Sequence, residues 1–170
     1  DAEDGIASAV NTANDALAQI ASINNRLEKA QVNDASTASL LDQRDHYIDQ
    51  LSQLMDIRTS TDELGKVMVF TNSGVQLVGA DAAKLSFDAK GLLAPTSTWS
   101  NNPADRTVGT LTVTFPRGGT IDLVEAKSLR SGAIAAYLEL RDNTLVQAQA
   151  QIDQLAAVMA SAMSDRTAAG

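Results

Sequence analysis

Residues 133–162 read AIAAYLELRDNTLVQAQAQIDQLAAVMASA, and within them Ile134, Leu138, Arg141, Leu145, Ala148, Ile152, Leu155, Met159 and Ala162 recur at alternating steps of four and three. That spacing is the seam of a heptad helix. Beginning after Ser131-Gly132 and running to about Arg166, such a helix would span roughly 50 Å, which is long for a compact domain of 170 residues. A seam left in water forfeits its burial, so the stretch predicts helical partners along its length.

Outward from it, the first flank carries the same pattern: Ile6, Val10, Ala13, Leu17, Ile20, Asn24 and Leu27 form a seam with one polar member, a helix of about seven turns. Residues 31–37 hold Asn33-Asp34 and Ser36-Thr37, turn and N-cap chemistry. A second helix is expected from near Thr37, with the stripe Leu41, Arg44, Ile48, Leu51 and Met55 widened by Leu40, Tyr47 and Leu54. The short connection makes it an antiparallel neighbour of the first.

Between the helical flanks the composition changes. All three Pro, all three Phe, the single Trp and seven of the ten Gly lie between Thr61 and Glu125, which reads as sheet and turns. Lys66–Thr71 and Val75–Val78 flank Asn72-Ser73-Gly74, and Thr110–Phe115 and Thr120–Val124 flank Pro116-Arg117-Gly118-Gly119; Lys84–Phe87 offers a further strand, and Ala94–Asp105 a loop. The predicted fold is α+β: a long antiparallel bundle of about three helices (1–60 and 126–170) interrupted by a small antiparallel β-rich insertion lobe (61–125).

Composition narrows function. An apolar fraction of 44% supports a core, and 21 acidic against 13 basic residues give a net charge of −8, most of the excess in residues 1–60 with ten acids and four bases. Such a field repels nucleic acid. The absence of Cys and a single histidine, His46, remove thiolate chemistry and restrict acid–base chemistry. No run approaches the roughly 18 apolar residues of a membrane span, and Asp1-Ala2-Glu3-Asp4 lacks the features of a signal peptide. Opening on Asp1 is expected of an internal piece of a longer chain.

Two seam positions hold arginine in echoing segments, Leu41-Asp42-Gln43-Arg44-Asp45 and Leu138-Glu139-Leu140-Arg141-Asp142. The neighbours of Arg44 at i±3 and i±4 are Leu40, Leu41, Tyr47 and Ile48, so a buried guanidinium there must find a carboxylate or carbonyl on another segment; otherwise it snorkels from the bundle edge. The expected structural residues are therefore Arg44, Asp45, Arg141 and Asp142, for cross-helix pairing, with Asn24 facing the same choice between solvent and bundle register.

These residues also carry a resemblance. Leu40-Leu-Asp-Gln-Arg-Asp45 with Ile48, Leu51 and Ser52, then Val69, Asn72, Gly74 and Leu77-Val78-Gly79, then Tyr137-Leu-Glu-Leu-Arg-Asp142 with Gln147, Gln149, Gln151 and Ile152-Asp-Gln-Leu-Ala156, resemble in order and spacing the bacterial flagellar hook-associated proteins of the hook–filament junction. Ile20-Ala-Ser-Ile-Asn-Asn-Arg26 is similar to the segment upstream of that motif, and the likeness covers nearly all the chain except residues 80–125. It implies a non-catalytic adaptor without cofactor, exported through the flagellar type III apparatus to the extracellular flagellum. Its implied partners are other axial proteins (hook, second junction protein, filament) and copies of itself, with neither nucleic acid nor membrane. It also implies terminal tube-forming helices outside this segment, which alone is expected to be monomeric.

The chemical alternatives are weaker. Asp42, His46 and Asp49 share a helical face and could hold a metal, but such residues are usually solvated. His46 has acids nearby yet no Ser in a nucleophile motif. Residues 116–119 join strands and open no helix, so they form no phosphate loop. Trp99 could be a glycan platform or the cover of a sheet end; Met159 and Met163 read as core filling. A ligand-binding helical bundle of a membrane receptor is the competing class, and it would need flanking apolar spans.

Overall fold

In the computed structural model the described residues are 2–29, 35–90 and 97–168. They form helices α1 (Ala2–Lys29), α2 (Ala35–Leu54), α3 (Ala133–Glu139) and α4 (Leu145–Ala168), and strands β1 (Ile57–Thr61), β2 (Val67–Thr71), β3 (Gln76–Val78), β4 (Lys84–Phe87), β5 (Leu111–Thr114) and β6 (Thr120–Asp122). A π-helical turn, Leu140–Thr144, joins α3 to α4.

The spine is α1. Its seam residues Ile6, Val10, Ala13, Leu17, Ile20 and Asn24 are buried, and Ala9, Ala16 and Ala21 widen the buried face, as expected of a helix with neighbours on more than one side. α2 packs against it through Leu40, Arg44 and Leu51, with Met55 just past its last turn, while Leu41 is turned outward. The turn expected at 31–37 lies mostly outside the described residues.

Where one small sheet was expected, the described residues make two, each three-stranded and antiparallel, in the orders β1-β2-β3 and β4-β5-β6. The hairpins read from the sequence are present, with Val69 opposite Val78 and Val113 opposite Ile121. β1 is an edge strand that the sequence reading placed in the helical flank; apart from half-buried Ile57 it is exposed and polar. Inward-facing Val67, Val69, Leu77, Val78, Leu85, Leu111, Val113 and Leu123 join the α1 seam and Ile134 and Leu138 of α3 in one core. Sheet and helix thus bury each other's apolar faces.

The long C-terminal helix differs most from expectation. Gly132 starts it at φ 92°, where an added Cβ would lie 2.6 Å from the Met55 nitrogen and 2.7 Å from the Leu54 carbonyl, so only glycine fits this approach to the end of α2. After two turns the helix passes into the π turn, whose end is marked by the Leu145 N–H bonding the Leu140 carbonyl. A π turn absorbs one extra residue, rotating everything beyond it by about 100°. The buried side of α3 (Ile134, Leu138, with Arg141 beyond) is accordingly continued by half-buried Asp142, Val146 and Gln149, while Leu145 faces out. The expected unbroken three-helix bundle is therefore present only in part.

Candidate functional site

Three polar side chains on α1, about three turns apart, hold the backbone of the sheets. Glu3, 2% exposed, accepts from the Gly109 N–H at 2.7 Å through Oε1 and from the Lys90 N–H at 2.8 Å through Oε2. Arg141, 3% exposed, donates from Nη1 to the Gly109 carbonyl at 2.6 Å and to Glu3 Oε1 at 3.4 Å, and from Nε and Nη2 to the Asp142 carboxylate at 2.6 and 3.1 Å. Both backbone groups of Gly109 are thus gripped by one buried ion pair, at the point where α1, the π turn and the β4–β5 sheet meet. A Cβ on Gly109 would lie 2.7 Å from the Phe87 ring.

Midway along α1, Asn14 donates to the Leu85 carbonyl and accepts from the Leu85 N–H, each at 2.8 Å, mimicking a paired strand at the free edge of β4. Asn24 does the same for Val67, at 2.7 and 3.2 Å, and its Oδ1 also accepts from Arg44 at 3.3 Å. Arg44 donates to the Gly65 carbonyl at 2.8 Å. Burial, opposed by the nearby charge of Asp45, lowers the pKa of Arg44 below its ordinary value.

Of the five residues singled out from sequence, the structure brings Asn24 and Arg44 together at one end of α1 and Arg141 and Asp142 together at the other; Asp45 is exposed and reaches Arg44 through its charge alone. Glu3 was missed, although it precedes Ile6 and Val10 at steps of three and four and so extends the seam. Asn14 and Gly109 had no comparable signal, because their roles depend on which strand lies beside them.

The remaining polar groups serve the sheet region. Asp88 is held below the usual aspartate range: burial, which acts in the opposite direction, is outweighed by the Thr110 N–H at 2.6 Å and the Lys90 ammonium at 2.9 Å. Arg106 lies over the Trp99 ring, 5.2 Å from its centroid, and bonds Asp122 at 3.0 Å. Asp42, His46 and Asp49 sit on the exposed face of α2, and among the described residues no group of three His or acidic side chains is placed to hold a metal. One open hollow of about 340 Å³, between the β3–β4 connection and Pro116-Arg117, is lined by few polar side chains. No described helix is long and apolar enough to cross a membrane.

The other distinctive surface is α4. Beyond the π turn from which it grows, it makes no extensive contact with another described element, and Leu145, Ile152, Leu155 and Met159 are 47, 60, 61 and 57% exposed. Met159 and Met163, expected as core filling, are both exposed. Burying one such side chain fully stabilises by about 1.5–3 kcal/mol, so a row of them outside is unusual for a finished surface.

Comparison with known proteins places this arrangement. The family model for the flagellar hook-associated protein FlgK helical domain matches residues 1–170. Flagellar hook-associated protein 1 of Escherichia coli (strain K12) is 29% identical over 168 residues, 97% of this chain and 28% of that protein. The structure of the flagellar hook junction protein FlgK from Burkholderia pseudomallei superposes with a TM-score of 0.63 and 27% identity, covering 82% of this chain and 23% of that one. The chain thus spans about a quarter of the length of either relative. With the helical spine, the two sheets and a family match along its whole length, the chain belongs to the family of the flagellar hook-associated protein FlgK helical domain, structural proteins of the bacterial flagellum.

Proposed function

We propose that this chain is part of the body of a junction subunit that joins flagellar hook to filament, acts through protein–protein contacts and catalyses no reaction. The observation that carries the reading is the family match over residues 1–170, and the description of the Burkholderia pseudomallei relative as a hook junction protein supports it. The chemistry of the site agrees: buried Glu3 and Arg141 are bonded to backbone and to each other, and buried Arg44 to backbone and Asn24, an arrangement that fixes elements instead of activating a substrate. The partners in this reading are the hook, the second junction protein, the filament and further copies of the full-length protein, reached after export through the flagellar type III apparatus. The receptor alternative draws no support from either relative.

The test is made in the bacterium of origin. Removing the codons for residues 1–170 in frame from the full-length gene should abolish swimming and release filament protein into the medium, with bare hooks seen by electron microscopy. Attached filaments in that strain would overturn the reading.

A further inference from the structure

The outer edge of β1 is open. Alternate pairs of an antiparallel ladder exchange hydrogen bonds, and just past β1 the Asp62 N–H bonds the Lys66 carbonyl at 3.0 Å. Ser60 opposite Met68 and Arg58 opposite Phe70 are therefore the next bonded pairs in step. The far side of β2 agrees, since Val67 commits both backbone groups to Asn24 and the Thr71 N–H goes to the Val75 carbonyl. Ile57, Thr59 and Thr61 thus turn their N–H and C=O groups away from β2, and among the described residues no element other than β2 packs extensively on β1. At five residues the strand is of ordinary length, and it has no Pro, no Lys and no register shift against β2, the devices that usually guard an edge. Its one charge, Arg58, is drawn aside to the Asn72 carbonyl of its own chain. By contrast, Asn14 closes the edge of β4.

We propose that β1 is the docking edge for a second copy of this chain, the two strands pairing antiparallel about a two-fold axis at Thr59 and joining two β1-β2-β3 sheets into one. Symmetry favours this occupant. The open residues are spaced evenly about Thr59, so in one register every outward group finds a partner: Ile57 meets Thr61 of the second copy, Thr59 meets Thr59, and Thr61 meets Ile57. A contact across a two-fold axis uses the same patch twice and must be self-complementary in this way. Thr opposite Thr is a favourable cross-strand pair, and on the other face Arg58 comes opposite Ser60, so no like charges meet directly within the strands. Charge points the same way. The chain carries −8, yet β1 holds no acid, and pairing there sets no carboxylate of one strand against another. Asp56 and Asp62, just beyond the strand ends, do come opposite each other, which keeps the contact weak and makes it tighten as salt screens them. One strand pair is also far short of a standard interface. An extended segment of an unrelated protein would meet the same backbone groups, but nothing in it calls for even spacing about Thr59. The inference goes beyond the junction reading and does not depend on it.

The test uses the 170-residue chain, isotope-labelled for magnetic resonance, in high salt over a roughly hundredfold concentration range. The Thr59 and Thr61 amides are expected to exchange with solvent fast at the dilute end and at least about threefold slower at the concentrated end, while Ser60, bonded to β2, is slow throughout. The chain has no cysteine, so a spin label can be placed on Thr61→Cys alone. Mixed with isotope-labelled, spin-free chain, it should broaden the Ile57 amide of the second copy more than the Thr61 amide. Thr59→Lys, which sets two ammonium groups together on the axis, should abolish the concentration dependence, and Thr59→Val should keep it. Exchange at Thr59 and Thr61 that ignores concentration would overturn the proposal and leave β1 to an unrelated strand. Concentration-dependent shifts confined to α4, or a dependence that survives Thr59→Lys, would place the association elsewhere and overturn it as well. Broadening of Thr61 in preference to Ile57 would overturn the two-fold register. Motility plays no part in these readouts, so their failure is distinct from failure of the junction reading.

Discussion

Truncating Arg141 to Ala would take the Arg141 guanidinium away from the buried Glu3 carboxylate and its 2.6 Å hydrogen bond away from the Gly109 carbonyl. Removing one partner of a buried pair costs about 3–5 kcal/mol, so Arg141→Ala should lower the urea midpoint sharply. Glu3→Gln, which keeps one acceptor for the Gly109 N–H, should cost less, and a double-mutant cycle between the two should return a coupling of at least about 1 kcal/mol. Arg44→Ala removes a donor from Gly65 and one from Asn24; a loss of about 1–3 kcal/mol is expected, and an unchanged midpoint would restore the snorkelling reading. At Asp88 the sign follows from its lowered pKa. Since the folded carboxyl holds its proton more weakly than the unfolded one, its contribution is complete above the unfolded pKa and disappears as pH falls through the folded value. Asp88→Asn should therefore lower the neutral plateau of a stability–pH curve and flatten its acid limb, the two proteins converging as pH falls through the folded pKa. Arg44, Arg141 and Asn24 were legible as polar members of apolar seams, because a heptad pattern exposes its exceptions. Their partners were not, since Gly65, Gly109 and Val67 contribute backbone groups that no side-chain pattern records.

Among the elements, α1 and the two hairpins could be read because each writes its burial into its own period, 3.6 or 2. β1 could not: Arg58-Thr-Ser-Thr61 has no apolar alternation, and an edge strand needs none when β2 already supplies the buried face. That the strands divide into two sheets was also hidden, because pairing depends on where α1 offers Asn14 and Asn24. The π turn was invisible for the opposite reason. The heptad runs straight through it, so pattern alone argued for an α-helix, while the bonds of Arg141 to Glu3 and Gly109 fix the other geometry within this chain. The division of the sequence at 61 and 125 is a proposal about chain segments; the core itself runs across both boundaries.

For the molecule as a whole, the net charge of −8 opposes self-association at low salt, and Ala148 and Ala162 make the α4 stripe a thin one. Residues 1–170 alone should sediment as a monomer, or at most a weak dimer, over a roughly hundredfold concentration range; rings or fibres would locate the polymerising contacts inside this segment. The grip on Gly109 bears on assembly of the fold in time. Glu3 lies 138 positions before Arg141 and 106 before Gly109, and contacts between such distant positions close late and slow the search for the native topology. The buried carboxylate in the first turn of α1 thus lacks the Arg141 guanidinium until residue 141 is in place. A chain stopped at Glu139 should consequently retain much of its helical dichroism but lose its cooperative melting transition. In synthesis, the segment around Arg141 locks the first turn of α1 only after more than a hundred intervening residues have arrived.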